Sequence, residues 1–199
     1  MTTSLSAFLS YVFVTTFTPG PNNVSSASMG ITYGYRGALP YILGITTGFT
    51  VIMFLCGLLT EALIDFLPGL EPILKIVGAL YMLYLAFMIL KVSTRKPDDG
   101  GKSIATFSRG LLLQVVNVKV IIFGITVFSG FLIHRIGGVF DIFLASLFLA
   151  AFAFASTSTW ALFGTGLKRF FTNRTFTLVF NGLMALLLVY SATVIAGIL

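Results

Sequence analysis

The stretch Thr18-Pro19-Gly20-Pro21-Asn22-Asn23 interrupts the first long apolar segment of the chain. Proline has no backbone N–H, and glycine loosens a helix, so two prolines around a glycine predict a break in the helix. Lipid offers no partner for backbone polar groups, and such a break is tolerated only where it is buried in protein or faces a watery cavity. The stretch therefore predicts half of a solute site, with the other half supplied by the rest of the chain.

The composition is that of a membrane protein. Only 9% of the 199 residues are charged and 57% are hydrophobic, whereas about a quarter of the residues of a soluble domain are charged. The apolar residues form long runs instead of alternating with polar ones, which favours helices over a barrel. The net charge of +6 does not indicate nucleic-acid binding, because the basic residues lie mainly between apolar runs, as topology signals do. No Lys or Arg precedes the first apolar run, which favours a retained first span over a cleaved signal peptide.

Six stretches are long and apolar enough to cross a bilayer, which takes about 20 residues. They are residues 5–29, 39–59, 73–90, 108–131, 140–162 and 176–199. The polar segment 91–107 divides them into two halves, 1–90 and 108–199. The sequence thus predicts an all-α integral membrane protein with six transmembrane helices in a single transporter domain, 1–199.

The basic residues predict the orientation of the spans, because cytoplasmic loops are enriched in Lys and Arg. They cluster in the segments between spans one and two, three and four, and five and six: Arg36; Lys91, Arg95, Lys96, Lys102, Arg109; Lys168, Arg169, Arg174. The opposite loops contain Glu61, Asp65 and Glu71, with Lys75, His134, Arg135 and Asp141 nearby. This distribution predicts a cytoplasmic loop at 91–107 and both termini outside. Three spans per half make any internal repeat an inverted one, in which a solute site lies near the middle of the membrane.

The broken first helix supplies candidate substrate-binding residues Pro19, Gly20, Pro21, Asn22 and Asn23. The prolines free carbonyl groups, and Gly20 leaves room for a solute. If Asn22 begins a half-helix, its unpaired N–H groups and positive dipole end suit a carboxylate. The two amides both donate and accept, which suits a zwitterion. The alternative is a purely structural kink, since prolines occur in membrane helices.

The corresponding helix of the second half supplies Gln114, Asn117 and Lys119. Lys119 lies ten residues beyond Arg109, about 15 Å along a helix, and a charge at such a depth costs about 2.5–3.5 kcal/mol. We expect it to face a cavity or a partner, and the alternative is that it snorkels to the headgroups. Gln114 and Asn117 share a helix face, either to bind solute or to join helices.

The sequence predicts no catalytic residue, metal site or cofactor. It contains no HExxH, GxSxG or Walker motif, and one histidine cannot form a typical zinc site. Cys56 is the only cysteine, so a membrane thiol-redox protein, which would need paired cysteines, is an alternative but a poor fit. The hydroxyls of 156–159 either line a polar route or bond within their own helix.

Several of these motifs together resemble the LysE/RhtB family of amino-acid exporters. They are the Pro-Gly-Pro stretch followed by Gly30, Gly34, Gly37, Gly44 and Gly48, the segment GALYMLYLA at 78–86, and QVVNVK at 114–119. The resemblance covers essentially the whole chain. The family usually has Asn-Pro-Lys in the fourth helix, and Val118 stands in place of that proline. The Asn-Val-Lys variant is similar to the branch that exports cysteine and O-acetylserine.

The resemblance implies a secondary exporter of small amino acids in the bacterial inner membrane, working by alternating access in exchange for protons. Its partners would be a small amino-acid substrate and the lipid bilayer, with no nucleic acid. The sequence leaves open the preferred amino acid, the proton carrier and the oligomeric state, a homo-oligomer included. A membrane interaction protein without transport is a further alternative, although it gives no reason for the interior Lys119.

Overall fold

The computed structural model describes residues 5–92, 105–115, 117–133, 135–167, 170 and 173–197, and within them the chain forms helices and no strand. The helices are α1 (Leu5–Phe17), α2 (Pro21–Leu58), α3 (Thr60–Val92), α4 (Phe107–Val115), α5 (Val118–Thr126), a π-helical segment (Val127–Leu132), α6 (Val139–Leu167) and α7 (Arg174–Ala196). This confirms the predicted all-α class.

Three of these helices are long and apolar enough to cross a membrane, and α4 with the bent continuation 118–132 makes a fourth if the pair is one span. Six spans in an inverted repeat, with both termini outside, remain a prediction. The residues behind the predicted orientation fall partly outside the described ones: Arg95, Lys96, Lys102, His134, Lys168 and Arg169, together with the side chains of Glu61, Asp65, Glu71, Lys91 and Arg174.

Helix α1 ends at Phe17 and α2 begins at Pro21, so the break predicted at the Pro-Gly-Pro stretch is confirmed. α1 and the start of α2 nevertheless run the same way along α6. The rings of Phe8 and Phe148 lie 6.4 Å apart, and Thr16 and Asn23 both contact Ser156. The two pieces therefore form one interrupted helix.

Helix α2 reverses direction at Gly34, which divides it into a first limb (21–33) and a second limb (35–58). Gly34 has φ 71° and ψ 169°, a backbone region open essentially to glycine alone. Along α6 the first limb ascends and the second descends. The contacts that show this are Asn23 with Ser156 and Gly30 with Thr165 for the first limb, then Ile42 with Ala161 and Gly57 with Ile142 for the second. The sequence predicted two spans here with an intervening loop, whereas a single glycine makes the turn.

Glycines bring the second limb and α4 into backbone contact. Gly44 lies against the carbonyl of Phe107, and Gly110 lies against the carbonyl of Tyr41. The same pairing joins the first limb to α6, where Gly30 meets Ala161. Small residues at such crossings let membrane helices approach closely.

A second break separates α4 from α5 around Asn117. The axes of α4 and the segment 118–132 differ by 63°, and Asn117 itself is non-helical, with φ −86° and ψ 85°. Val118 stands where a proline would explain such a break, so the break forms without one. The second half of the chain thus contains an interrupted helix in the position that corresponds to the first.

Candidate functional site

The two breaks face each other and are joined by three amides. Asn22 donates to Gln114 Oε1 at 3.0 Å, and Gln114 Nε2 donates back to Asn22 Oδ1 at 2.9 Å. Asn117 Nδ2 donates to the same Oδ1 at 2.8 Å. Residues more than 90 positions apart therefore form one buried polar network, with Gln114 and Asn117 each 1% exposed.

The carbonyls that the prolines deprive of a donor are satisfied by side chains. In an unbroken helix Thr15 and Phe17 would accept from the residues at 19 and 21, and both of these are prolines without an N–H. The Thr18 hydroxyl donates to the Thr15 carbonyl at 3.0 Å, and Trp160 Nε1 donates to the Phe17 carbonyl at 3.2 Å. The unwound backbone is thus hydrogen-bonded by protein, as the membrane interior requires.

Asn23 completes this replacement of backbone donors. Its Nδ2 donates to the carbonyls of Thr16 at 2.8 Å and Thr18 at 2.9 Å. Ser156 from α6 donates to the same Thr16 carbonyl at 2.8 Å and to Asn23 Oδ1 at 3.1 Å. Asn23 is 4% exposed, so in this structure its amide supports the break.

Lys119 points its ammonium group at the break. Its Nζ donates to Thr18 Oγ1 at 3.0 Å, to the Thr18 carbonyl at 3.2 Å and to the Pro19 carbonyl at 3.4 Å. Gly20 lies directly beside it, because a Cβ there would be 3.1 Å from Nζ. Lys119 thus contacts the backbone of the first break, as the prediction of a partner in the interior expects.

A small cavity lies between the two breaks. It has a volume of about 40 Å³. Six predicted site residues line it: Gly20, Pro21, Asn22, Asn23, Asn117 and Lys119. Pro19 and Gln114 lie one hydrogen bond behind the wall. The cavity is partly open in this structure.

One acceptor in the cavity wall has no partner. Asn117 Oδ1 is buried without a hydrogen bond, while the Nδ2 of the same side chain is bonded to Asn22. A buried acceptor left unpaired costs about 1–3 kcal/mol. Asn117 lines the cavity, but this oxygen is itself buried, so a guest with an ammonium or hydroxyl group reaches it only after the surrounding side chains move.

The hydroxyls of 156–159 do not divide cleanly between the two predicted roles, lining a polar route or bonding within their own helix. Thr157 and Thr159 donate to carbonyls of their own helix, at 2.8 Å each, and Thr157 also lines the cavity. Ser156 instead contacts the break. Sequence reasoning missed two further donors at the break, Trp160 and Ser191, the latter donating from α7 to the Pro19 carbonyl at 3.2 Å. A lone tryptophan and a lone serine in apolar helices were the available signals.

These helices and their interior polar junction define a multi-pass membrane transport protein. The family model of the LysE type translocator matches residues 13–196. The chain belongs to this family, which confirms the resemblance drawn from its motifs, and it is a multi-pass protein of the inner membrane.

Similar proteins share almost the full length of the chain. It is 36% identical over 192 residues to the cysteine/O-acetylserine efflux protein of Klebsiella pneumoniae subsp. pneumoniae, across 96% of this chain and 95% of the relative. It is 34% identical over 190 residues to proteins of the same name from Escherichia coli strain K12 and Shigella sonnei strain Ss046, across 96% of each chain. No solved structure matches the chain.

Proposed function

We propose that this protein exports small neutral amino acids, with cysteine and O-acetylserine as substrates. The relatives' names supply the substrates, and family membership supplies transport as the activity. The observation that carries the proposal is the junction of two interrupted helices, where the amides of Asn22 and Asn117 and the ammonium of Lys119 surround one interior cavity. Unwound backbone at a repeat interface is the arrangement of solute sites in secondary transporters.

The site suits a zwitterion because the break presents two opposite helix ends. α1 ends at Phe17 with the partial negative charge of its carbonyl groups, and α2 begins at Pro21 with the partial positive charge of its N–H groups. The N-terminus of α2 has no side-chain cap. A substrate ammonium would lie toward the α1 end and Asn117 Oδ1, and a carboxylate toward the α2 end and Lys119. Protons are the proposed counter-substrate.

Transport would proceed by alternating access around this junction. Alternating access requires the Asn22–Gln114–Asn117 network, which is formed in this structure, to separate on one side at a time. We also propose six crossings as an inverted repeat of 1–90 and 108–199 in a single domain, with both termini outside and the 91–107 loop in the cytoplasm. The opposed limbs of α2 support this layout. The first limb runs in the direction of the first interrupted helix, and the second limb runs alongside the second interrupted helix in that helix's direction.

The function is tested by counterflow of labelled cysteine or O-acetylserine into proteoliposomes. We expect the wild type to exchange both, and Asn22→Ala and Lys119→Ala to lose most of that exchange. Thr46→Ala is a matched control, because the Thr46 hydroxyl donates only to the Ile42 carbonyl of its own helix at 2.9 Å. Unchanged exchange in both site variants would refute the site.

Two further measurements address the alternatives and the layout. Cys56→Ser is expected to retain full exchange, and loss of exchange in this variant would favour thiol-redox chemistry at this buried cysteine.

The orientation is tested in the cysteine-free Cys56→Ser chain. There, Thr2→Cys and Leu199→Cys should react with an impermeant maleimide added outside intact cells, whereas Ser103→Cys should not. The opposite labelling pattern would overturn the proposed orientation.

A further inference from the structure

Lys119 occupies the part of the junction that suits an ammonium group. Its Nζ lies within 3.4 Å of three oxygens, the Thr18 hydroxyl and the carbonyls of Thr18 and Pro19. A lysine ammonium has three donors and no acceptor, so these contacts account for all of its donors. The two carbonyls belong to the unwound end of α1, where the helix dipole favours a positive charge.

No carboxylate shares this wall of the cavity. Among the described residues that line it, Lys119 is the only ionisable side chain, and the others offer hydroxyl, amide, carbonyl or apolar surface. Acceptors therefore hold the positive charge without a counter-ion. Asn117 also lines the cavity, and its buried Oδ1 is an acceptor without a partner.

A substrate ammonium entering this cavity would meet carbonyls that another ammonium already holds. Two positive charges within a few ångströms repel strongly in a low-dielectric interior. A zwitterion avoids this repulsion. Its carboxylate can draw the Lys119 ammonium away from the Thr18 and Pro19 carbonyls, and the substrate ammonium can then bind to those carbonyls. An amine without a carboxylate has no group that can do this.

We propose that Lys119 is an internal occupant of the ammonium subsite and that a substrate must carry a carboxylate to displace it. Lys119 is then the residue that makes the transporter specific for amino acids over the corresponding amines. No covalent step is involved, since one ammonium exchanges for another at the Thr18 and Pro19 carbonyls. This inference rests on the proposed function of the same cavity.

The test compares cysteine with cysteamine, which is the same molecule without the carboxylate, both under reducing conditions. In proteoliposomes containing the wild type, we expect labelled cysteine to exchange and cysteamine neither to exchange nor to compete. Lys119→Met keeps an unbranched side chain, one atom shorter, and removes the charge. We expect it to lower cysteine exchange by about tenfold or more and to raise inhibition by cysteamine by a similar factor.

Lys119→Arg is the matched variant, since it keeps a positive charge on a side chain of similar reach. We expect it to keep excluding cysteamine, even where its exchange of cysteine is slower. Thermal unfolding in detergent, with and without cysteamine, provides a readout independent of transport. Cysteamine should stabilise Lys119→Met and leave the wild type and Lys119→Arg unaffected.

The outcomes separate this inference from the proposed function. If wild type exchanges cysteine but Lys119→Met neither binds nor exchanges cysteamine, the inference is overturned and the function stands. Wild-type inhibition by cysteamine as strong as by cysteine overturns it as well. If the wild type exchanges neither cysteine nor O-acetylserine, the proposed function is refuted, and so is the inference that rests on it.

Discussion

The ammonium nitrogen of Lys119 lies 3.0 Å from the hydroxyl of Thr18, although 101 residues separate them. Thr18 belongs to the interruption of the first helix, and Lys119 follows directly on the interruption at Asn117. The contact ties the two halves of the chain at the point where each lacks regular helical hydrogen bonds. Changes at this point are expected to affect transport more than stability.

Gly20→Ala tests how closely Lys119 must approach the break. A Cβ at Gly20 would lie 3.1 Å from both Cδ and Nζ of Lys119, and that flexible side chain can shift. We expect a several-fold loss of cysteine exchange with a small change in melting temperature. Gly182→Ala is the control, since a Cβ there meets nothing within 4 Å. Equal exchange in the two variants would show that the position of the ammonium does not matter.

Trp160→Phe tests the donor that replaces the missing N–H of Pro21. The substitution leaves the Phe17 carbonyl without its 3.2 Å hydrogen bond, and an unsatisfied buried acceptor costs about 1–3 kcal/mol. We expect a lower melting temperature in detergent. Thr159→Val, next in the chain, removes a hydroxyl that bonds only within α6 and should change the melting temperature far less. A larger fall in melting temperature for Thr159→Val than for Trp160→Phe would contradict the role assigned to Trp160.

Asn22 and Gln114 exchange two hydrogen bonds, so their substitutions should not be additive. A double-mutant cycle with Asn22→Ala and Gln114→Ala, measured as unfolding free energies, is expected to give a coupling energy of about 0.5–3 kcal/mol. The same cycle with Asn22→Ala and Thr46→Ala should give a value near zero, because the Thr46 hydroxyl bonds within its own helix. Additivity in the first cycle would mean that the amides do not act as a pair.

Gly44→Ala tests the backbone contact between the second limb and α4. A Cβ at Gly44 would overlap the Phe107 carbonyl oxygen, so one of the two helices must move. We expect a loss of stability at the upper end of the 1–3 kcal/mol typical of overpacking, about 3 kcal/mol, together with weaker transport. Gly130→Ala, where a Cβ would meet nothing within 4 Å, is the control, and similar melting temperatures for both would refute the close approach.

The sequence predicts the features of this site that depend on local chemistry. The break follows from prolines that lack an N–H, and the interior position of Lys119 follows from its distance along an apolar run. The amides of Asn22, Gln114 and Asn117 were identified because polar side chains are rare in such runs. The structure brings these residues together, whereas their role in binding remains a proposal.

Other features depend on packing between distant segments, and the sequence does not indicate them. The reversal at Gly34 requires a backbone conformation that a glycine permits but does not dictate. The second break forms beside Val118, a residue with no intrinsic tendency to end a helix. Trp160 and Ser191 are assigned to the break only by the approach of α6 and α7 to the carbonyls of residues 17 and 19.

The carbonyls of the first interruption accept from side chains on four helices: Asn23 on α2, Lys119 on α5, Ser156 and Trp160 on α6, and Ser191 on α7. The Thr16, Thr18 and Pro19 carbonyls each accept from two of these side chains, whereas the Phe17 carbonyl accepts from Trp160 alone. A movement of α5 or α7 therefore leaves each of these carbonyls with a donor, and only a movement of α6 leaves an acceptor unpaired in the interior. We therefore expect α6 to stay against the first interruption while other helices move during exchange.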